Sequence, residues 1–116
     1  MTAVLLVAVG GALGASARYA LVRLLPARFP WAILAANVAG SLLLGVLLSG
    51  ASREAMLLAG VGFCGALTTF STFALDTAVL AREGRPRAAA ANVVVSVVAT
   101  VAALAVGMAI GRTLAG

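Results

Sequence analysis

Four apolar blocks, each close to the length of a membrane-spanning helix, constrain the fold of this chain more than any other feature. They cover approximately residues 3–25, 31–48, 55–81 and 88–111. A helix needs about 20 apolar residues to cross the hydrocarbon of a bilayer. The polar connections are short, so consecutive helices should run antiparallel and pack closely. We therefore predict a single all-α integral membrane domain over residues 1–116 with four transmembrane helices.

Charge is sparse and lies mainly between the blocks. Charged residues make up 9% of the chain, hydrophobic residues make up 64%, and the net charge is +5. Every basic residue is an arginine, and the positions suit contact with lipid headgroups better than nucleic acid. The side of the membrane with the first and third connections carries five arginines, Arg23, Arg28, Arg82, Arg85 and Arg87. The opposite side carries two, Arg53 and Arg112. We expect a multi-pass protein of the cell membrane, the inner one in a Gram-negative source. The excess of arginine favours the first side as cytoplasmic, but it rests on few residues and leaves room for insertion in both orientations.

The side chains that most enzymes and metal sites need are scarce. The chain has no histidine and one cysteine, Cys64, which excludes His-based catalytic triads and an internal disulfide. It has no pair of buried carboxylates, because Asp76 is the only acid within a predicted span. We therefore predict that the chain is not an enzyme.

A polar run interrupts the third apolar block. Residues 65–73 read Gly-Ala-Leu-Thr-Thr-Phe-Ser-Thr-Phe, and Thr68 lies midway between Glu54 and Arg82, near the expected bilayer midplane. A helix broken there would free carbonyls that favour a cation and N–H groups that favour an anion. A continuous helix whose hydroxyls bond to the preceding turn fits the same residues. From these residues alone both interpretations remain open.

Polar side chains also occur at helical spacing elsewhere in the blocks. Phe70 and Phe73 share one helix face, and the positive edge of an aromatic ring tolerates an anion. Asn37 and Ser41 lie four apart in the second block, and the fourth block carries Asn92, Ser96 and Thr100, again four apart. Such stripes either join helices or line an anion path.

Small residues indicate where helices approach each other closely. The first and last blocks each contain two glycines separated by three residues, Gly10 and Gly14, and Gly107 and Gly111. This spacing lets helix backbones come into contact within a membrane. The pattern predicts a tightly packed bundle.

Three motifs together resemble the Fluc/CrcB family of fluoride channels, and they follow the family's order through the chain. They are Gly-Gly-Ala-Leu-Gly-Ala at 10–15 with Arg18 and Tyr19, Asn37 with Gly40 and Ser41, and Gly-Phe-Cys-Gly at 62–65 with Thr-Thr-Phe-Ser-Thr-Phe at 68–73.

The resemblance implies a specific architecture. It implies a dual-topology homodimer of antiparallel four-helix subunits, with the third helix broken near the midplane. Backbone carbonyls of Gly65 and Thr68 would hold a structural sodium ion. Fluoride pores would run along the interface past Asn37, Phe70, Ser71, Thr72, Phe73, Ser96 and Thr100, with Arg18 near the vestibule.

The function that this resemblance implies is passive, fluoride-selective export that lowers toxicity in the cytoplasm. Two other classes of protein remain as alternatives. One is a small proton-coupled drug or cation antiporter, for which Asp76 would be the ionisable group. The other is a membrane assembly subunit that transports nothing.

Overall fold

The computed structural model describes residues 1–115, which form helices joined by short turns and contain no strand. Helix α1 spans Thr2–Leu24 and α2 spans Trp31–Leu48. Helix α3 is continuous over residues 53–67, helix α4 spans Phe70–Arg82, and α5 spans Pro86–Ala115. With α3 and α4 taken as one crossing, four segments are long and apolar enough to span a membrane. The predicted all-α fold with four membrane-spanning segments is confirmed.

Local sequence explains where the helices start and stop. Leu25 is extended ahead of Pro26, as expected for a residue before proline, and α2 starts directly after Pro30. The Ser52 hydroxyl accepts a hydrogen bond of 3.1 Å from the Ala55 N–H and caps the start of α3. Gly84 has a φ of +75° in the turn between α4 and α5, a conformation that glycine adopts without strain.

Helix α3 is unusual because most of it is not α-helical. Arg53–Ala55 and Gly65–Leu67 are α-helical turns, but the nine residues Met56–Cys64 between them form a π-helix. Hydrogen bonds in this segment join residues five apart, which is rare over such a length. The segment carries two glycines that pack against neighbouring helices or line the cavity described below, Gly60 and Gly62, and Gly65 follows it directly.

The bundle consists of two close helix pairs, with α1 packed on α3 and α2 packed on α5. Glycines create both contacts. A methyl group at Gly10 or Gly14 would overlap the carbonyl oxygen of Leu58 or Phe63 on α3. In the second pair, methyl groups at Gly45 and Gly107 would overlap backbone atoms of the facing helix. The glycines that the sequence singled out in α1 and α5 therefore lie at backbone-to-backbone contacts.

The outer faces of the bundle are apolar. Val94, Val98 and Val101 form an exposed stripe along α5 at helical spacing, each with about 60% of its surface accessible. The molecule measures 47 × 30 × 20 Å, and its long dimension is close to the thickness of a bilayer with its headgroups. These features are those of a bundle that lipid or another apolar surface surrounds.

Candidate functional site: a cavity at the junction of α3 and α4

The junction between α3 and α4 consists of two extended residues. Thr68 has φ −79° and ψ 149°, and Thr69 has φ −152° and ψ 118°. The Thr68 N–H still bonds the Cys64 carbonyl at 3.0 Å, and its hydroxyl donates to the same oxygen at 2.9 Å. Thr69 is the N-cap of α4, because its hydroxyl accepts the Thr72 N–H at 3.2 Å.

The backbone of Thr69 is bonded across the bundle to α2. The Thr69 N–H donates to Oδ1 of Asn37 at 2.8 Å, and Nδ2 of Asn37 donates to the Thr69 carbonyl at 3.3 Å. In a continuous α-helix this N–H would donate to the carbonyl of Gly65, four residues earlier. The Asn37 amide therefore takes the donor that the Gly65 carbonyl would otherwise receive.

A cavity of about 430 Å³ lies beside this junction. All helices except α1 contribute to it, together with the two junction residues. Its walls are formed by Asn37, Gly40, Ser41 and Leu44 of α2, Gly60, Cys64 and Gly65 of α3, Thr68 and Thr69, Phe70 and Phe73 of α4, and Ser96, Val97 and Thr100 of α5. The wall contains amide, hydroxyl and backbone groups but no ionisable carboxylate or arginine.

The two phenylalanines form a pair on the α4 side of the cavity. Their ring centroids are 5.7 Å apart, and the ring planes are tilted by 46°. Phe70 keeps 74% of its surface exposed although it lines the cavity. Gly65, on the opposite side of the junction, is exposed as well. The cavity is therefore open along one side of the subunit.

Seven of the ten residues that the sequence nominated line this cavity: Asn37, Gly65, Thr68, Phe70, Phe73, Ser96 and Thr100. Ser71 and Thr72 bond the Thr69 hydroxyl, at 3.3 and 3.2 Å, and are not part of the wall. Thr72 instead lines a second cavity of about 300 Å³, together with Asp76 and the loop between α1 and α2. Arg18 is partly exposed on α1 and lines neither cavity.

Sequence reasoning left several wall residues out of the nominated set. Ser41 is four residues after Asn37, so the spacing alone places both on one face of α2. Gly60, Cys64 and Val97 carry no comparable signal, because small or apolar residues occur throughout these helices. Leu44 lies three residues after Ser41 and packs as an ordinary apolar side chain.

The groups of this wall define what the cavity can hold. Among residues 1–115 no cluster of three or more His, Cys, Asp or Glu is present that could ligate a metal. A cation here would depend on main-chain oxygens. The Gly65 carbonyl is one of them, because the Thr69 N–H that it would bond in a continuous helix donates to Asn37. An anion would depend on amide and hydroxyl donors and on aromatic ring edges.

Comparison with known proteins identifies the family of this chain. Residues 5–108 match the model of the family described as CrcB-like protein, Camphor Resistance (CrcB). The chain is similar to a protein named fluoride-specific ion channel FluC from Novosphingobium aromaticivorans, with 44% identity covering 99% of this chain and all (100%) of that protein. A protein of the same name from Chelativorans sp. (strain BNC1) is 42% identical, over 95% of this chain and 96% of its own length.

A third relative, fluoride-specific ion channel FluC 2 of Rhodococcus jostii (strain RHA1), is 49% identical, over 90% of this chain and 94% of its own. Both the family match and these relatives extend across all four membrane-spanning segments. The similarity is thus not confined to the three motifs but extends along the whole chain. This chain belongs to the CrcB family of membrane proteins.

Proposed function

We propose that this chain forms a fluoride-selective channel through which fluoride leaves the cytoplasm passively. Membership of the CrcB family and the printed name of its relatives support fluoride as the ion. The observation that carries the proposal is the cavity wall, which combines Asn37, Ser96 and Thr100 with two phenylalanines and includes no carboxylate. Such a wall offers hydrogen-bond donors to an anion without a negative charge that would repel it.

Fluoride is small and strongly hydrated, and it accepts hydrogen bonds but donates none. Removing its water requires replacement donors, and a passage requires that these donors also release the ion. Most hydroxyls beside the cavity already donate within the protein. Those of Thr68 and Thr100 bond the carbonyls of Cys64 and Ser96 at 2.9 and 2.6 Å. Neutral donors with an alternative acceptor nearby bind an anion weakly enough for it to move on.

The conducting unit that we propose is an antiparallel homodimer of dual topology. One subunit leaves the cavity open where Phe70 and Gly65 are exposed, although both lie in a membrane-spanning segment. A second copy against this face would close the pathway. Because Thr68 lies midway between the charged ends of its segment, an inverted copy would bring its own junction to the same depth.

A structural sodium ion at the centre of this dimer is part of the proposal. The carbonyl of Gly65 loses its usual helical donor to Asn37, and the extended backbone turns the Thr68 carbonyl away from helical bonding. Hard cations prefer such oxygen ligands. These two main-chain oxygens would hold the ion, which neutralises the carbonyl ends of the α3 helices and is not itself transported.

We place the channel in the cell membrane, the inner membrane in a Gram-negative organism, where fluoride efflux protects the cytoplasm. The test is ion efflux from liposomes that contain the purified protein. Fluoride should leave them far faster than it leaves protein-free liposomes, and chloride should be retained. Fluoride efflux equal to that of protein-free liposomes would refute the proposal. Equal efflux of both anions would refute the selectivity.

A further inference from the structure

Asn92 of α5 is an amide without a place in the cavity wall. It is 2% exposed, and it is the largest fully buried side chain among residues 1–115. An amide at such a position in a membrane protein must have hydrogen-bond partners, because none are available from lipid. The identity of those partners shows what the side chain does.

Asn92 links two cavity-lining residues on different helices. Its Nδ2 donates to the Thr77 hydroxyl at 2.9 Å, and the Thr77 hydroxyl donates to the Phe73 carbonyl at 2.8 Å. On the other side, its Oδ1 accepts the Ser96 hydroxyl at 3.3 Å. A continuous chain of hydrogen bonds therefore runs from Ser96 on α5 to Phe73 on α4.

Helix α4 has few other attachments to its own subunit. Of its 13 residues only Leu80 is buried. Its N-terminus is fixed by the bonds between Asn37 and Thr69. The phenylalanine pair lies between that attachment and the bond from Asn92 to Thr77. Two asparagines on two different helices thus hold the part of α4 that carries the rings.

We propose that Asn92 is a positioning residue for conduction, an inference that rests on the proposed channel function. It acts through Thr77, fixing α4 against α5 so that Phe73 keeps its place opposite Ser96. Asn92 itself does not touch the conducted anion. Without it, α4 can rotate or move away from α5, and the spacing of the two walls is lost.

The experiment replaces Asn92 with leucine, which has similar volume and no polar group. The Thr77 hydroxyl keeps its bond to the Phe73 carbonyl, and the Ser96 hydroxyl can bond the preceding turn of its own helix, so no donor is stranded. We expect Asn92→Leu to assemble normally and to reduce fluoride efflux by about tenfold, the rate equivalent of losing one hydrogen bond. Thr113→Val is the matched control, because it deletes an α5 hydroxyl that bonds only the Ala109 carbonyl.

Changes at Thr77 test the same chain of bonds from its other end. Thr77→Val removes the acceptor for Asn92 and should reduce efflux in the same way, whereas Thr77→Ser keeps the hydroxyl and should preserve it. Because the two residues act as one unit, Asn92→Leu with Thr77→Val should lose no more than either single variant. If Asn92→Leu fails to assemble, the comparison of Thr77→Val with Thr77→Ser decides the question.

The possible failures are distinguishable. A wild-type protein without fluoride efflux would refute the channel function, and this inference with it. If the wild type conducts and Asn92→Leu or Thr77→Val conducts equally, the inference alone is wrong. Efflux losses that add fully in the double variant would also overturn it, because they would show that the two residues act independently.

Discussion

The Asn37 side chain binds both backbone groups of Thr69, with distances of 2.8 Å to the N–H and 3.3 Å to the carbonyl. Because an amide has one acceptor oxygen and two N–H donors, this arrangement uses the oxygen and one of the donors. The second N–H remains for another acceptor, and Asn37 lines the cavity. The same residue can therefore hold the junction and face an anion.

Replacing Asn37 should affect both roles. We expect Asn37→Leu to lower the free energy of unfolding in detergent by about 1 kcal/mol, because two hydrogen bonds to Thr69 are lost. Fluoride efflux should fall by more than the fraction of misassembled protein accounts for. Ser49→Ala is the control, since Ser49 also bonds a backbone carbonyl across the bundle, that of Met108 at 3.0 Å, but lies outside the cavity. Equal efflux losses in both variants would show that Asn37 is merely structural.

Phe70 should matter for conduction more than for folding. It is 74% exposed, so Phe70→Ile removes little contact within the subunit. Loss of the aromatic edge should reduce fluoride efflux by at least about tenfold while the protein still assembles. Leu75→Ile is the matched control on the same helix, because Leu75 is 63% exposed and lies outside both cavities. Normal efflux in Phe70→Ile would show that conduction does not need the Phe70 ring, whereas the assembly-subunit alternative predicts no fluoride efflux even from the wild type.

The glycines of α1 should differ sharply in their tolerance of alanine. A methyl group at Gly10 would overlap the Leu58 carbonyl oxygen, so Gly10→Ala should destabilise the fold by about 1–3 kcal/mol. A methyl group at Gly11 would meet the Gly62 carbonyl oxygen at 3.9 Å, an ordinary contact, so Gly11→Ala should be nearly neutral. Unfolding of both variants in detergent measures the difference. Equal stability would contradict the close approach of α1 and α3.

Sodium dependence should survive changes to the Thr68 side chain. Replacing sodium on both sides of the membrane with N-methylglucamine should abolish fluoride efflux if the carbonyls of Gly65 and Thr68 need the ion. Thr68→Val should remain active and sodium-dependent, because it removes only a hydroxyl that bonds the Cys64 carbonyl and leaves the main-chain oxygens in place. Full efflux without any sodium would rule out a required site.

Passive conduction should be electrogenic. Fluoride that leaves a liposome alone builds up a voltage, so efflux from potassium-loaded liposomes should be fast only when valinomycin lets potassium follow. A symporter that carries one proton out with each fluoride would need no valinomycin, because the two charges cancel. Fast efflux without the ionophore, accompanied by a pH change in the lumen and lost in Asp76→Asn, would show proton-coupled transport in place of passive conduction.

The sequence predicted the four membrane-spanning segments because their lengths and apolar composition leave few alternatives. It also nominated half of the cavity wall, seven of its 14 residues, since polar groups in an apolar helix are conspicuous and Asn37, Ser96 and Thr100 carry such groups. It could not identify the partner of Asn37. That partner is a backbone, and which backbone an amide reaches depends on how the helices pack.

Other features left no trace in the sequence. The π-helical segment Met56–Cys64 has the same mixture of glycine and apolar residues as its α-helical neighbours. Ser71 and Thr72 were expected beside the phenylalanines on the pathway, but each residue of an α-helix is turned by about 100° from the one before. The rings of residues 70 and 73 face the cavity, so the two residues between them point elsewhere.

The π-helical segment makes the spacing along α3 sensitive to insertion and deletion. A π-helical turn holds more residues than an α-helical turn, because its hydrogen bonds join residues five apart and not four. If Met56–Cys64 relaxed to α-helical bonding at unchanged length, everything beyond it, as far as Thr68, would turn by about 100°, the angle of one residue, relative to the glycine contacts with α1. The main-chain oxygens of Gly65 and Thr68 would face another direction while every side chain remained the same. Deleting one residue from the segment would compensate for most of that turn. In this protein the number of residues between the glycine contacts with α1 and the junction at Thr68 therefore determines where these oxygens point, independently of which side chains are present.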